Sequence, residues 1–239
     1  MPPLVRISEI GQYLRCPRLI YYANLGNLHR KINPEQLLLR SLMLSISDDE
    51  DLVGPLRAAL SRLEQELPLV YEIEPQDLGP ACRDLEGRID EIARSLQPSL
   101  GLLLLPCEVE MDLCSERLGL SGRLDRLAPG QTPSLIRTGQ APVDGVWKRD
   151  RLMLAGYALL LGEKYQERIN QGMVEYSRSG AVRLVQIHSV DRARVLRIRD
   201  RIKAIKDGQM PDRPEGARCA DCDIREKCEV SVTLASKFF

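Results

Sequence analysis

Apolar residues recur at helical spacing through the first hundred positions and switch to alternation soon after residue 102. Ser8 stands as a cap for a helix predicted to run to about residue 23, with Ile10, Leu14, Leu19 and Tyr22 among its apolar positions. Cys16 lies on this helix or at a break in it, because Pro17 lacks a backbone donor. Asn33-Pro34-Glu35 opens a second helix with proline in its first turn, carrying Leu37, Leu38 and Leu42. Asp48-Asp49-Glu50-Asp51 opens a third, through about residue 67, since acids favour a helix N-terminus. Residues 70–73 are a short strand candidate. Residues 82–96 read as a helix with Leu85, Ile89, Ile92 and Leu96 on one face.

Residues 106–113 alternate like a half-buried strand; 118–127 and 133–138 follow as two more, joined by Ala-Pro-Gly-Gln. Residues 150–169 read as an amphipathic helix bearing Leu152, Leu154, Tyr157, Leu160 and Leu161. Segments 173–177 and 182–187 form a hairpin around Ser-Gly. A last helix, about 190–207, aligns Val195, Ile198, Ile202 and Ile205 on one stripe and Arg192, Arg199, Lys203 and Lys206 on another. The chain is therefore α/β. With no repeat and no long linker, it reads as a single domain, 1–239: a mostly helical part (1–100), a sheet-plus-helix core (102–207) and a cysteine-bearing tail (211–239).

At 239 residues, 44% hydrophobic and 28% charged, the chain can bury a substantial core. No run approaches the ~18–20 apolar residues of a membrane span, and the N-terminus lacks a charged-then-apolar leader. The expectation is a cytoplasmic protein with no membrane partner. Net charge is zero, but as a sum of opposites. Residues 48–91 hold thirteen acids against four arginines, and residues 178–206 hold nine Lys or Arg against two acids. The basic face of Arg192, Arg199, Lys203 and Lys206, with Arg178 and Arg183 nearby, suits phosphate neutralisation; a merely solvated face is the alternative. Stacking aromatics are scarce, with Tyr176 near and Trp147 in the loop before the long helix, so binding there would be salt-sensitive and weakly sequence-specific.

Seven cysteines, an odd number, argue for metal binding rather than disulfides. Cys219, Cys222 and Cys228 are spaced C-x2-C-x5-C after Pro211 and Pro214, and Cys16 is the natural fourth ligand. Such a centre would join the first helix to the last loop. By softness and geometry, zinc suits four thiolates as well as an iron–sulfur cluster does. Cys82, Cys107 and Cys114 occupy apolar-patterned positions and read as core, while His29 and His188 read as surface residues. Alternation places Glu108 and Glu110 on one face, so with Asp125 they offer oxygen ligands for Mg or Mn, with Arg137 or Lys148 as a nearby cation.

Four stretches carry a family resemblance: Tyr-Leu-Arg-Cys-Pro-Arg-Leu-Ile-Tyr-Tyr around Cys16, Leu-Gly-Leu-Ser-Gly-Arg-Leu-Asp-Arg-Leu around Asp125, Leu-Ala-Gly-Tyr-Ala-Leu-Leu-Leu around Tyr157, and the terminal cysteines. In order and nearly end to end, the chain resembles the CRISPR-associated Cas-four, RecB-like exonucleases. The resemblance implies a restriction-endonuclease-like PD-(D/E)xK fold with a central mixed sheet. It implies a 4Fe-4S cluster on Cys16, Cys219, Cys222 and Cys228, and metal-dependent cutting of single-stranded DNA ends during spacer acquisition beside the CRISPR integrase.

The site residues depart from that pattern. Asp125 matches the family's first aspartate, but Leu135-Ile136-Arg137 stands where Glu-x-Lys is expected. Leucine cannot ligate a metal, and arginine is not an interchangeable lysine. No acid occurs between Asp125 and Asp144, nor any lysine. Residues 40–46 lack the family's histidine, and Met153 replaces a glutamine ahead of Tyr157. The leading expectation is a nuclease fold with a degraded site, binding single-stranded or end-containing DNA, the integrase, or another nuclease or helicase in repair. The alternatives are an active exonuclease built on Asp125 with Glu108 or Glu110, and a structural metal-cluster protein without a nucleic-acid role.

Overall fold

Residues 3–26, 32–46, 51–103, 105–217, 219–220, 222 and 224–228 are described by a computed structural model. The chain enters through a two-residue strand β1 (Val5–Arg6) and turns at once into α1 (Ile7–Arg15). The N-cap is Arg6 rather than Ser8: the Glu9 carboxylate accepts the Arg6 N–H at 2.8 Å, which holds the helix start two residues earlier. Cys16 is extended and Pro17 follows, so the predicted single helix is two, with α2 at Arg18–Asn24. α3 (Pro34–Leu44) begins as expected, with Asn33 Oδ1 accepting the Gln36 N–H at 3.0 Å.

α4 (Val53–Val70) and α5 (Pro75–Leu96) make an antiparallel pair, and a 3-10 turn (Gln97–Leu102) ends it. The acidic run that was to open α4 lies mostly outside the described residues, as does His29. No strand forms at 70–73, because α4 continues to Val70 and the link to α5 is short. α5 starts at Pro75, earlier than the pattern alone suggested. Its buried Leu78, Cys82, Leu85, Ile89, Ile92 and Leu96 keep the spacing of three and four that makes a helix face. Each large apolar side chain so buried is worth about 1.5–3 kcal/mol.

The sheet comprises β1, β2 (Glu108–Ser115), β3 (Leu120–Ala128), β4 (Thr132–Arg137), β5 (Gln171–Tyr176) and β6 (Ala181–Gln186), in the order β1-β3-β4-β5-β6, with β2 also on β3. It is mixed. β1 lies parallel to β3 and β4 parallel to β5, and the remaining pairs are antiparallel. α6 (Lys148–Tyr165) makes the crossover between β4 and β5, and α7 (Ser189–Lys206) closes the fold.

One core joins Val5, Ile7, Leu124, Leu135, Val174 and Tyr176 to α1, α6 and α7. A second joins Ala128, Ile136, Met173 and Val182 to α3, α4 and α5. Alternate residues of β4 and β5 thus serve helices on opposite faces. α6 is not the two-faced helix its pattern suggested. Ten of its residues from Asp150 to Leu161 are buried, because it runs between the sheet and the α1 and α7 helices.

The β5–β6 turn is held against the end of α5. Gly180 has φ +62°, and a Cβ there would lie 2.1 Å from the Ser95 carbonyl oxygen. Backbone on both sides of the contact cannot yield cheaply. Gly180→Ala is expected to destabilise the protein by about 2 kcal/mol or more, read as a lower urea midpoint at unchanged m-value.

Candidate functional site

β3 has two edges and three partners. β2 takes one edge along its whole length, pairing Ser115–Glu108 with Leu120–Leu127. β1 and β4 share the other: β1 meets Leu120 and Ser121, and β4 meets Arg126 to Ala128. Between them a notch is left along residues 122–125. Two side chains fill it by replacing the missing strand bonds. The Asp125 Oδ2 accepts the Ile136 N–H at 2.9 Å, and the Tyr157 hydroxyl donates to the Arg123 carbonyl at 2.6 Å. Burial raises the pKa of Tyr157, so it stays a neutral donor. Gly122 lets it lie flat against β3, since a Cβ would meet the ring at 3.0 Å. A depression of about 650 Å³ opens beside the notch, lined by Arg6, Ser8, Cys114, Arg123 and Tyr157 among others.

The other Asp125 oxygen is taken by Arg40 of α3, whose Nε and Nη2 lie 2.9 and 2.7 Å from Oδ1. Arg40 Nη1 reaches Glu110 Oε1 at 3.1 Å. Glu110 is turned to this contact by a backbone kink: its φ is +51°, and it sits between the register pairs Val109–Arg126 and Met111–Leu124. A non-glycine residue in that conformation costs about 1–2 kcal/mol. Glu110 thereby leaves the simple alternation that was to align it with Glu108, which remains exposed. Burial opposes the charge on Arg40, but Asp125 and then Glu110 outweigh it, so the guanidinium is held more firmly protonated than usual. A permanent cation thus lies between the two expected metal ligands.

Arg137 does not join them. It pairs with Asp150 of α6 at 2.7 Å, a charge contact without hydrogen-bond alignment, and its Nη2 lies 3.1 Å from the Met153 sulfur. Leu135, where a second carboxylate was expected, is 1% exposed in the α6-side core. Next to Asp125 lies a buried pair invisible to the motif reading, Arg126 and Glu175, 3.7 Å apart and 1% and 0% exposed. Burial raises the pKa of Glu175, opposed by Arg126 and by the Ser134 hydroxyl that donates to it at 2.6 Å. The only sequence signal was an acid inside the apolar stretch Met173-Val-Glu-Tyr176. Arg40 was likewise signalled only as a cation amid the leucines of α3.

The cysteines lie elsewhere, at the seam between α2 and the C-terminal segment. Leu19, Tyr22 and Ile224 form a small core against which Cys16, Cys222 and Cys228 pack. Burial pushes the Cys16 thiol up, against the Arg18 and Leu19 N–H groups, and the nearby Cys222 and Cys228 sulfurs add to that push. Cys219 is tied in through its carbonyl, which accepts the Cys222 N–H at 3.4 Å. Arg18 closes the seam by donating to the Pro211 carbonyl at 3.1 Å and to the Cys228 sulfur at 3.2 Å. The Tyr22 hydroxyl donates to the Lys227 carbonyl at 3.3 Å. All four thiols are free of disulfides, and four soft donors suit an iron–sulfur cluster or zinc in type and number. Among the described residues, no three His, Cys, Asp or Glu side chains stand as a ready metal-holding group, here or at the notch.

The cations of α7 are largely engaged within the molecule. Arg192 donates to the Ile187 and Ile169 carbonyls, Arg199 to the Leu118 carbonyl at 2.6 Å, and Lys206 pairs with Glu9 at 2.8 Å. Lys203 is half-buried over Gly119. The exposed cations of this helix are instead Arg194, Arg197 and Arg201.

Residues 7–229 match the family model described as the PD-(D/E)XK nuclease superfamily. This chain belongs to that superfamily. A protein of Archaeoglobus fulgidus, described only as uncharacterized, is 26% identical over 242 residues, 98% of this chain and 100% of its own length. A CRISPR-associated exonuclease Cas4/endonuclease Cas1 fusion of Myxococcus xanthus is 30% identical over 137 residues, 50% of this chain and 23% of that protein. Asp125 sits where β3 and β4 part. Arg40 lies between Asp125 and Glu110 and Leu135 offers no oxygen, so the donors as they stand do not fit a divalent cation. No helix among the described residues is long and apolar enough to cross a membrane.

Removing the Arg40 side chain leaves Asp125 without its charged donor in a mostly buried position. Arg40→Ala is expected to lower stability by about 1–3 kcal/mol, measured by urea unfolding at neutral pH.

Proposed function

We propose that this chain is a Cas4-like, non-cutting member of the PD-(D/E)XK superfamily that binds DNA or a partner enzyme in spacer acquisition or DNA repair. The observation that carries the reading is the Arg40 guanidinium seated between Asp125 and Glu110. Phosphodiester cleavage in this fold needs a divalent ion to polarise the phosphate and generate hydroxide. Here Asp125 accepts from Arg40 and from Ile136 N–H, Leu135 offers no ligand, and Arg137 is neutralised by Asp150. These residues hold the notch closed; they do not arrange an attacking water. An active exonuclease would require Arg40 to leave both carboxylates.

The DNA or protein role is supported by membership in a nuclease superfamily and by likeness to a protein whose description joins a CRISPR-associated exonuclease to an endonuclease. A CRISPR integrase and a repair helicase or nuclease are the partner classes that reading names, with a cytoplasmic setting. Cys16, Cys219, Cys222 and Cys228 are the residues that would hold a 4Fe-4S cluster, or zinc in its place, and a bound cluster would supply a covalent staple between α2 and the C-terminal segment. Arg18 and Tyr22 position that segment by their contacts to Pro211, Cys228 and Lys227.

Purified protein with end-labelled single-stranded DNA and Mn or Mg is expected to give no cleavage above the Asp125→Ala variant. Cleavage that this change abolishes would overturn the reading. Iron, sulfide and zinc analysis with a visible spectrum identifies the seam's occupant; Cys16→Ser and chelation are each expected to lower Tm by several degrees.

A further inference from the structure

We propose that the corner formed by Trp147, Lys148 and Arg149 is a binding site for single-stranded DNA, with a base stacking on the indole and adjoining phosphates on the two cations. This rests on the nucleic-acid reading above and says where on the molecule that contact is made.

Trp147 is the chain's single tryptophan and is 50% exposed, yet it is held at both ends. Its backbone N–H donates to the Tyr176 hydroxyl at 3.3 Å, and its indole N–H donates to the Gln140 carbonyl at 2.9 Å. The Tyr176 hydroxyl in turn donates to Asp150 at 3.1 Å, and Asp150 pairs with Arg137 at the end of β4. Val146, one residue earlier, packs into the α6-side core, whereas Trp147 belongs to none of the apolar cores. A large flat ring kept at the surface and fixed in place has little rotational freedom left to lose when a base stacks on it. Free base faces are offered by a single strand, whereas a duplex stacks its own bases.

The charges around the ring fit the same ligand. Lys148 is exposed and has no ion-pair partner among the described residues. Arg149 is half exposed and lies 3.6 Å from Asp150, a buried carboxylate already in contact with Arg137. Arg183 closes the side of the corner, held by the Val143 and Gly145 carbonyls. Asp144 is the single exposed acid in the loop that leads to Trp147. The corner also borders the notch, since Arg137 follows Ile136, whose N–H holds Asp125. On α7, by contrast, Arg192, Arg199 and Lys206 are engaged internally.

The test uses the full chain and a labelled oligo-dT of about 16 nucleotides. Binding is read at once by anisotropy of the label and by intrinsic tryptophan emission. The expected result is quenching that saturates with the anisotropy, because the only tryptophan lies under the base. Trp147→Ala should weaken binding about tenfold and Trp147→Phe much less. Lys148→Ala should lower the slope of log affinity against log salt by about 0.7, the single-strand value per phosphate. Binding by anisotropy with unquenched emission, and with Trp147→Ala at native affinity, would overturn the corner while leaving the nucleic-acid reading intact. No anisotropy change at low salt would overturn both. Native emission requires no variant, so a poorly folding Trp147→Ala protein leaves the test decisive.

Discussion

One strand with too many partners governs this molecule. β3 is paired along one edge by β2 and must divide its other edge between β1 and β4. The backbone groups in the gap would be unpaired and partly buried, a cost of about 1–3 kcal/mol each. Asp125 and Tyr157 supply the missing partners. An open edge in mid-sheet is also where a fold can bring side chains from both faces to one point. Arg40 arrives there from α3, Tyr157 from α6 and Glu110 from the kinked β2. The notch and the side chains that meet in it therefore share one cause, the division of the β3 edge between β1 and β4.

The electrostatics of the notch follow from that sharing. Two carboxylates brought to one partly buried point repel each other unless a cation neutralises them. Arg40 does so with one planar group bridging two acids, a task suited to a guanidinium more than to an ammonium. Arg137 and Asp150 cancel similarly, and the Arg126–Glu175 pair lies in the interior beside Asp125. Exposed cations stand at the α6 corner, in Lys148 and Arg149, and along α7, in Arg194, Arg197 and Arg201.

Much of this was legible in order along the chain. The α5 and α7 stripes, the proline start of α3, the break before Pro17 and the β5–β6 hairpin are local patterns with local causes. So is the absence of a Glu-x-Lys after Asp125. Misreadings came where local cause gave way to tertiary context. Residues 70–73 alternate weakly but have no strand to pair with. α6 seemed two-faced because its polar residues lie at its ends, while its middle is surrounded. The α7 cations formed a stripe in sequence, yet their reach to Ile169, Leu118 and Glu9 depends on segments well removed in the chain.

The sequence by itself determined the α/β order, the four-cysteine signature, and that no acid or lysine stands between Asp125 and Asp144. Those are statements about which residues exist and at what spacing. What lies against Asp125 was decided only by the tertiary structure. Arg40 and Asp125 are separated by 85 positions. No periodicity predicts that α3 will lay a guanidinium across the notch in β3, because that contact is set by how the helix layers pack on opposite faces of one sheet. The gathering of Cys16, Cys222 and Cys228 around Leu19, Tyr22 and Ile224 is likewise a product of where α2 meets the chain's end. Spacing named the thiols, and packing brought their helix and their loop together.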